Sequence, residues 1–294
     1  MSFVLTLSCP DQPGIVSTVA QALHHGGMNI TESHQFGDPH SGQFFMRVGF
    51  QGAEPLHSSS QFRDQSLAQS SQPLLDEFSR IADRYQMHWR LYDMALKPRV
   101  LILVSKFDHC LVDLLYRNEI GSLNMDIVGV GSNHAHARSR VEAAGLPFFL
   151  WPSADMSKEE IEAEISKTIA TYDVELIILA RYMQILSAPF VAQYPARIIN
   201  IHHSFLPSFK GAVPYSRAFE RGVKMIGATA HFVTGDLDEG PIISQGVASI
   251  RHDMHVGDLI DVGRDVERRT LAHAIRMFTQ RRILLNGMKT VVFE

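Results

Sequence analysis

The spacing of apolar and polar positions changes several times along this chain, and each change marks an element. Residues 3–9 form a short apolar-rich run that predicts a strand, broken by Pro10-Asp11-Gln12-Pro13-Gly14. Ile15, Val16, Val19, Ala20, Ala22 and Leu23 then recur at helical spacing until Gly26-Gly27 ends the pattern. Residues 29–37 and 42–50 predict two strands around the turn Asp38-Pro39-His40-Ser41. Residues 51–72 are rich in Ser and Gln with little periodicity, and their first half reads as a loop. A helix near 73–85, with Leu74, Leu75, Phe78 and Ile81 on one face, and a strand at 87–92 complete the order β-α-β-β-α-β. That is the ferredoxin-like arrangement.

Lys97-Pro98 marks a boundary, after which the pattern changes character. Residues 99–104 are an almost unbroken apolar run, as in a strand buried on both faces. Helices are predicted at 111–117, 135–145, 157–172 and 215–221, with a short helical turn at 189–194. Strands are predicted at 125–131, 148–150, 174–179, 198–201, 226–233 and 242–245. Ser157 with Glu160 three positions on forms a capping box. Residues 249–255 read as strand and loop. A long helix follows over 256–282, with Leu259, Ile260, Val262, Val266, Leu271, Ile275 and Phe278 inward. Arg276, Arg281 and Arg282 near its end suit the helix dipole. Residues 290–293 read as an edge strand or an exposed tail. Strands alternating with helices predict a doubly wound, mostly parallel, Rossmann-like sheet. The chain thus divides into residues 1–93 and 98–294.

Composition narrows the function. The chain has 294 residues, 45% of them apolar, and a net charge of −4, which does not suggest a nucleic-acid or membrane-surface binder. Its two cysteines, Cys9 and Cys110, belong to no metal or CxxC spacing and fit a reduced, cytoplasmic setting. The N-terminus lacks the pattern of a signal peptide, and no apolar run approaches the ~20 residues of a membrane span. After the strand at 99–104 comes Ser105-Lys106-Phe107-Asp108-His109-Cys110, without a glycine. A dinucleotide cofactor is therefore not expected.

The chemistry centres on residues 198–211. Asn200 and His202 are two apart, so in a strand they share a face. An amide can donate to an oxyanion and an imidazole can move a proton. On this motif alone, a strand edge with two polar residues capping the next turn fits as well. Downstream, the strand at 226–233 runs into the acidic turn holding Asp236, Asp238 and Glu239. This turn reads either as a solvated loop or as the source of a carboxylate partner for His202.

Two resemblances extend this reading. The segment from Cys9 to Val16, with Gly26-Gly27-Met28-Asn29-Ile30, resembles the signature of ACT domains, which often bind an amino acid between paired copies. The resemblance implies a regulatory site at Asp11, Gln12, Gly14, Ile15 and Asn29; a pairing module without ligand is the other reading. Asn200-Ile201-His202 with Leu206-Pro207, then His231-Phe232-Val233 and Asp238-x-Gly240-Pro241, resembles the catalytic pattern of folate-dependent formyltransferases. Leu179 to Ser187 resembles that family's folate-pocket loop. With both modules, the chain as a whole resembles the formyltetrahydrofolate deformylase family.

That resemblance implies hydrolysis of 10-formyltetrahydrofolate to tetrahydrofolate and formate, balancing one-carbon pools and supplying formate for purine biosynthesis. Asn200 would donate to the oxyanion, His202 would stabilise it and protonate the leaving nitrogen, and Asp238 would orient His202 and help activate water. Arg181, Tyr182, Met183, Ile185, Leu186, His203, His231, Val233 and Gly240 would contact substrate. No cofactor is implied, and a homo-oligomer, dimer or tetramer, with methionine or glycine as effector is. Three departures from glycinamide ribonucleotide formyltransferases favour water as acceptor: His203 where they carry proline, Gln184 for an arginine, and the glycine-free loop at 105–110. Transfer to that amine is the alternative. Methionyl-tRNA formyltransferase is disfavoured, since no second, basic domain follows Phe293.

The remaining histidines fit no metal spacing, and no metal is expected. His24, His25 and His57 read as solvent-facing, and His134 and His136 as loop residues. His231 divides between site and core. His202 and His203, as strand neighbours, would face opposite ways.

Overall fold

The computed structural model describes residues 2–52, 72–206 and 214–294. His57, Pro207, residues 208–211 and nearly all of the Ser/Gln-rich stretch lie outside the described residues. The chain separates into two compact units. The first comprises Met1–Leu96 with Gln280–Asn286 and Val291–Glu294; the second comprises Lys97–Thr279 with Gly287–Thr290. The last fifteen residues are thus shared between the units, where the sequence division gave them all to residues 98–294.

The first unit runs β1 (Ser2–Pro10), α1 (Ile15–His25), β2 (Met28–Asp38), β3 (Gln43–Gly52), α2 (Gln72–Tyr85) and β4 (His88–Asp93). Its antiparallel sheet has the order β2-β3-β1-β4, as the ferredoxin-like pattern requires. One sheet face alternates Phe44, Met46, Val48 and Phe50 and packs with Ile15, Val19, Leu23, Leu74 and Phe78 in one core. The opposite face carries Arg47, only 4% exposed, which donates to the carbonyl of Gln280. Beside it, Glu32 accepts from Arg47 and Arg282 at 2.5 Å each, and Asp38 accepts from Asn286 at 2.7 Å. Burial pushes the Glu32 carboxyl up, but bonds from Arg47, His34 and Arg282 outweigh it and hold the group at about 2.

The second unit runs β5 (Arg99–Val104), α3 (His109–Glu119), β6 (Asp126–Ser132), a 3-10 turn at Ala135–Ala137, α4 (Arg138–Ala143) and β7 (Phe148–Leu150). It continues with α5 (Lys158–Thr171), β8 (Leu176–Leu179), α6 (Ala188–Ala192), β9 (Ile198–His202), α7 (Pro214–Glu220), β10 (Met225–Phe232), β11 (Ile242–Ser249) and α8 (Val256–Thr279). The seven-stranded sheet has the order β11-β10-β9-β8-β5-β6-β7. Strands β5 to β9 are parallel, while β10 is antiparallel to both β9 and β11. Val100 to Val104 in the middle are fully buried. Helix α5 packs over Leu101, Leu103 and Ile177, whereas α8 lies along β9, β10, β11 and α3. The Ser157–Glu160 capping box is formed, with both reciprocal bonds present.

Several boundaries differ from the pattern. Helix α8 stops at Thr279, and Arg281 takes the left-handed φ of 56°. Arg281 then stacks over Tyr92 at 4.3 Å and Arg282 reaches Glu32, so neither serves the helix dipole. The apolar stripe continued past the helix because residues 283–286 form β12 (Ile283–Asn286), paired with β13 (Lys289–Val292). Strand character over 250–255 is absent, since β11 starts at Ile242 and already ends at Ser249.

Candidate active site

The sheet reverses its winding between β5 and β8, and open α/β sheets hold ligands beyond the carboxyl ends of the strands at such a point. The loops there are tied together. Ser105 follows β5 and donates its N–H to the carbonyl of Arg181, which follows β8. The Ser105 hydroxyl donates to Asn133 after β6 and accepts from the backbone of Met183.

Strand β9 places Asn200 and His202 on one face, as their spacing requires. Both reach Asp238, in the turn between β10 and β11. His202 Nδ1 lies 3.2 Å from Asp238 Oδ2, and Asn200 Nδ2 lies 3.4 Å from Asp238 Oδ1. Asp238 adopts a φ of 57°, a region that aspartate tolerates better than most residues. Gly240 is required in the same turn, because a Cβ there would overlap the carbonyl of Phe232. Its role is thus to seat the turn against β10. Burial pushes the Asp238 carboxyl up, but the hydrogen bond and charge of the His202 imidazole, first among its neighbours, outweigh it and hold the group well below the usual carboxylate range.

His231 belongs to this site. Antiparallel pairing sets it directly opposite Asn200, with Thr229 opposite His202. It is 1% exposed; its Nδ1 donates to the Phe232 carbonyl at 2.8 Å, which leaves Nε2 to accept from Asn200 Nδ2 at 3.2 Å. His202 Nε2 is buried and has no hydrogen-bond partner among the described residues.

The residues expected to contact substrate divide into groups. Met183 and Ile185 expose apolar side chains on the loop after β8, as does Leu237 beside Asp238. Leu186 and Val233 pack against the core at its edge. Tyr182 does not face a pocket: it is 6% exposed, belongs to the core under α5 and α6, and burial pushes its hydroxyl up to about 12. His203 also departs from expectation. Strand β9 ends at His202, so the pleat no longer separates the two rings, which stack at 5.0 Å. Burial first, then the Arg181 and His202 charges, push His203 down to about 4. A cavity of about 310 Å³ is lined by His203, Phe205, Tyr215 and Ile226.

One buried group was not anticipated. Glu267 on α8 is 1% exposed and accepts from Tyr215 at 2.6 Å and from His109 at 2.8 Å. Arg181 Nε lies 3.4 Å from the same carboxylate. Burial pushes Glu267 up, but His109, Arg181 and Tyr215 outweigh it and keep it ionised. A Cβ at Gly263, one turn earlier, would overlap the Tyr215 ring, so that glycine lets Tyr215 through. The signal in the sequence is a glutamate inside the apolar stripe of α8, between Val266 and Leu271. Among the described residues, His109, Cys110 and Glu267 have metal-type ligand atoms within 4.8 Å of one another. The carboxylate there is already matched by a guanidinium, and burial followed by Glu267 pushes the Cys110 thiol far up, so the cluster is a poor cation site. In the first unit, Gly14 has a φ of 94° and starts α1; Asp11, Gln12 and Asn29 are exposed, while the Ile15 side chain is core and closed to a ligand.

Comparisons with known proteins agree with this architecture. Residues 98–275 match the formyl transferase family. The chain is 43% identical over 291 residues to formyltetrahydrofolate deformylase of Bacillus subtilis, covering 99% of this chain and 93% of that one. The crystal structure of a formyltetrahydrofolate deformylase from Burkholderia mallei superposes with a TM-score of 0.89 at 47% identity, covering 100% and 99% of the two chains. Glycinamide ribonucleotide transformylase 1 from Symbiobacterium toebii matches 67% of this chain and 95% of its own, with a TM-score of 0.64 at 32% identity. A match of this extent across both units, with the transformylase likeness confined to part of the chain, places the protein in the formyltetrahydrofolate deformylase family.

Proposed function

We propose that this chain hydrolyses 10-formyltetrahydrofolate to tetrahydrofolate and formate, with Asn200, His202 and Asp238 as its catalytic groups. The observation that carries the reading is His202: Asp238 holds Nδ1 at 3.2 Å, and Nε2 is buried without a partner among the described residues. That nitrogen is the group left free for the reacting formyl oxygen and for N10. Water adds to the formyl carbon, negative charge gathers on oxygen, and the C–N bond breaks as N10 takes a proton. Asp238, kept ionised, orients the ring and accepts from the attacking water. Both hydrogens of Asn200 Nδ2 have partners here, His231 Nε2 and Asp238 Oδ1. Its amide therefore turns one of them to the oxyanion as substrate arrives. The exposed Met183, Ile185 and Leu237 supply apolar surface for a flat ring system to cover.

No helix among the described residues is long and apolar enough to cross a membrane. A cytoplasmic location, a homo-oligomer and an amino-acid effector at Asp11, Gln12 and Asn29 complete the proposal; the left-handed Gly14 at the start of α1 supports the last. Formate release from 10-formyltetrahydrofolate, with and without glycinamide ribonucleotide, tests the reaction. Release without the amine is expected and should vanish in folded His202→Ala; product formed only with the amine would make the chain a transferase.

A further inference from the structure

The mechanism leaves a buried cation unexplained. The Arg181 side chain is 10% exposed, and its Nε and Nη1 are buried with no hydrogen-bond partner among the described residues. Glu267 is the nearest carboxylate, but Oε1 already accepts from Tyr215 and Oε2 from His109. At 3.4 Å and without hydrogen-bond geometry, it balances the guanidinium's charge while leaving the Nε and Nη1 hydrogens without a partner among the described residues. Buried donors without acceptors are costly, and a guanidinium is among the strongest partners for a carboxylate. Arg181 is also held with a φ of 64°, a strained conformation for arginine that persists where the surroundings enforce it.

Arg181 lies at the same end of the sheet as the catalytic groups. It follows β8 two residues after Leu179, which pairs with Asn200. From the catalytic ring the contacts run through His203, stacked at 5.0 Å on His202, to Tyr215, whose ring lies 6.4 Å from that of His203, then to Glu267 and Arg181. Among these groups the structure has a nitrogen without a hydrogen-bond partner among the described residues at each end, His202 Nε2 and Arg181 Nη1.

We infer that Arg181 is the subsite for the formate product, its guanidinium donating to the carboxylate that hydrolysis creates. The inference rests on the hydrolase reading. Water forms the new C–O bond, the C–N bond breaks, one water proton goes to N10 and the other leaves to solvent through the Asp238–His202 pair. The negative charge stays on formate. A small anion released at this end of the sheet meets a buried arginine whose Nε and Nη1 have no partner among the described residues. Glu267, Tyr215 and His109 are positioning residues that fix the guanidinium and keep its net charge from repelling neighbours.

The test is titration of carbon-13 formate into the ligand-free wild type, Arg181→Met and Arg181→Lys, with circular dichroism as the folding check. Saturable binding by wild type is expected, weakened at least tenfold in Arg181→Met and less in Arg181→Lys. Wild type that binds no formate, or a folded Arg181→Met that binds it equally, overturns the inference. Should Arg181→Met not fold, undiminished binding by Arg181→Lys with unchanged competition from nitrate overturns it instead. Turnover of 10-formyltetrahydrofolate on the same wild-type sample reports the reaction separately: formate bound through Arg181 without turnover would remove the hydrolase reading and leave the anion site.

Discussion

His202 Nδ1 and Asp238 Oδ2 lie 3.2 Å apart, brought together from the end of β9 and the turn after β10. Asp238→Asn keeps the shape and removes the charge. Formate release is expected to fall about a hundredfold or more, the usual cost of losing such a group. Steady-state kinetics on a variant with wild-type thermal stability checks this; a loss under about tenfold would reduce Asp238 to a structural role.

Gly240→Ala tests the seat of that turn. The added Cβ would overlap the Phe232 carbonyl, so the backbone carrying Asp238 must move. A shift of about 1 Å in a catalytic group costs on the order of a hundredfold. The variant should remain folded by circular dichroism with a lower melting temperature and a reduced kcat.

His203 should give the stability curve a pH dependence of its own. Its folded-state pKa is about 4, against about 6.5 in an unfolded chain. Between these values the unfolded chain takes a proton that the folded one refuses, so stability falls as pH drops from about 6.5 to 4 and is flat above about 7. At pH 5 the loss is on the order of 2 kcal/mol. Thermal denaturation of wild type and His203→Gln at pH 7.5 and pH 5 checks it, since the variant should lack that component of the slope.

Much of this was legible from residue order. Period-2 and helical spacing located most elements, the Ser157–Glu160 pair marked the start of α5, and two-residue spacing put Asn200 and His202 on one face. What escaped depends on where periodicity stops. His203 takes the opposite face only if the alternation runs on past His202, and β9 ends at that residue. Helix α8 was overrun because the apolar pattern of β12 follows it without a breaker. Placing His231 opposite Asn200 needs the β9–β10 register, and the meeting of Arg181 with Glu267 needs the packing of α8. Neither relation is encoded in local spacing.

Glu32→Gln should loosen the C-terminal segment. Glu32 accepts from buried Arg47 and from Arg282, and its stabilising charge is present above the ordinary glutamate range and lost only as pH falls through about 2. The amide leaves Arg47 without its carboxylate, at a cost of about 1–3 kcal/mol. Hydrogen exchange should speed up across β12 while β5 and β8 stay protected.

The bonds from Arg282 to Glu32 and from Asn286 to Asp38 join the two ends of the chain within one unit. During synthesis, the strands that present Glu32, Arg47 and Asp38 leave the ribosome long before their partners exist. The first unit can form its sheet and helical layer early, but its other face must wait, with a charged and partly desolvated surface, until residues 280–294 arrive. Closing so long a loop is a late and slow step of folding. Completion of the N-terminal unit therefore waits on the synthesis of residues 280–294.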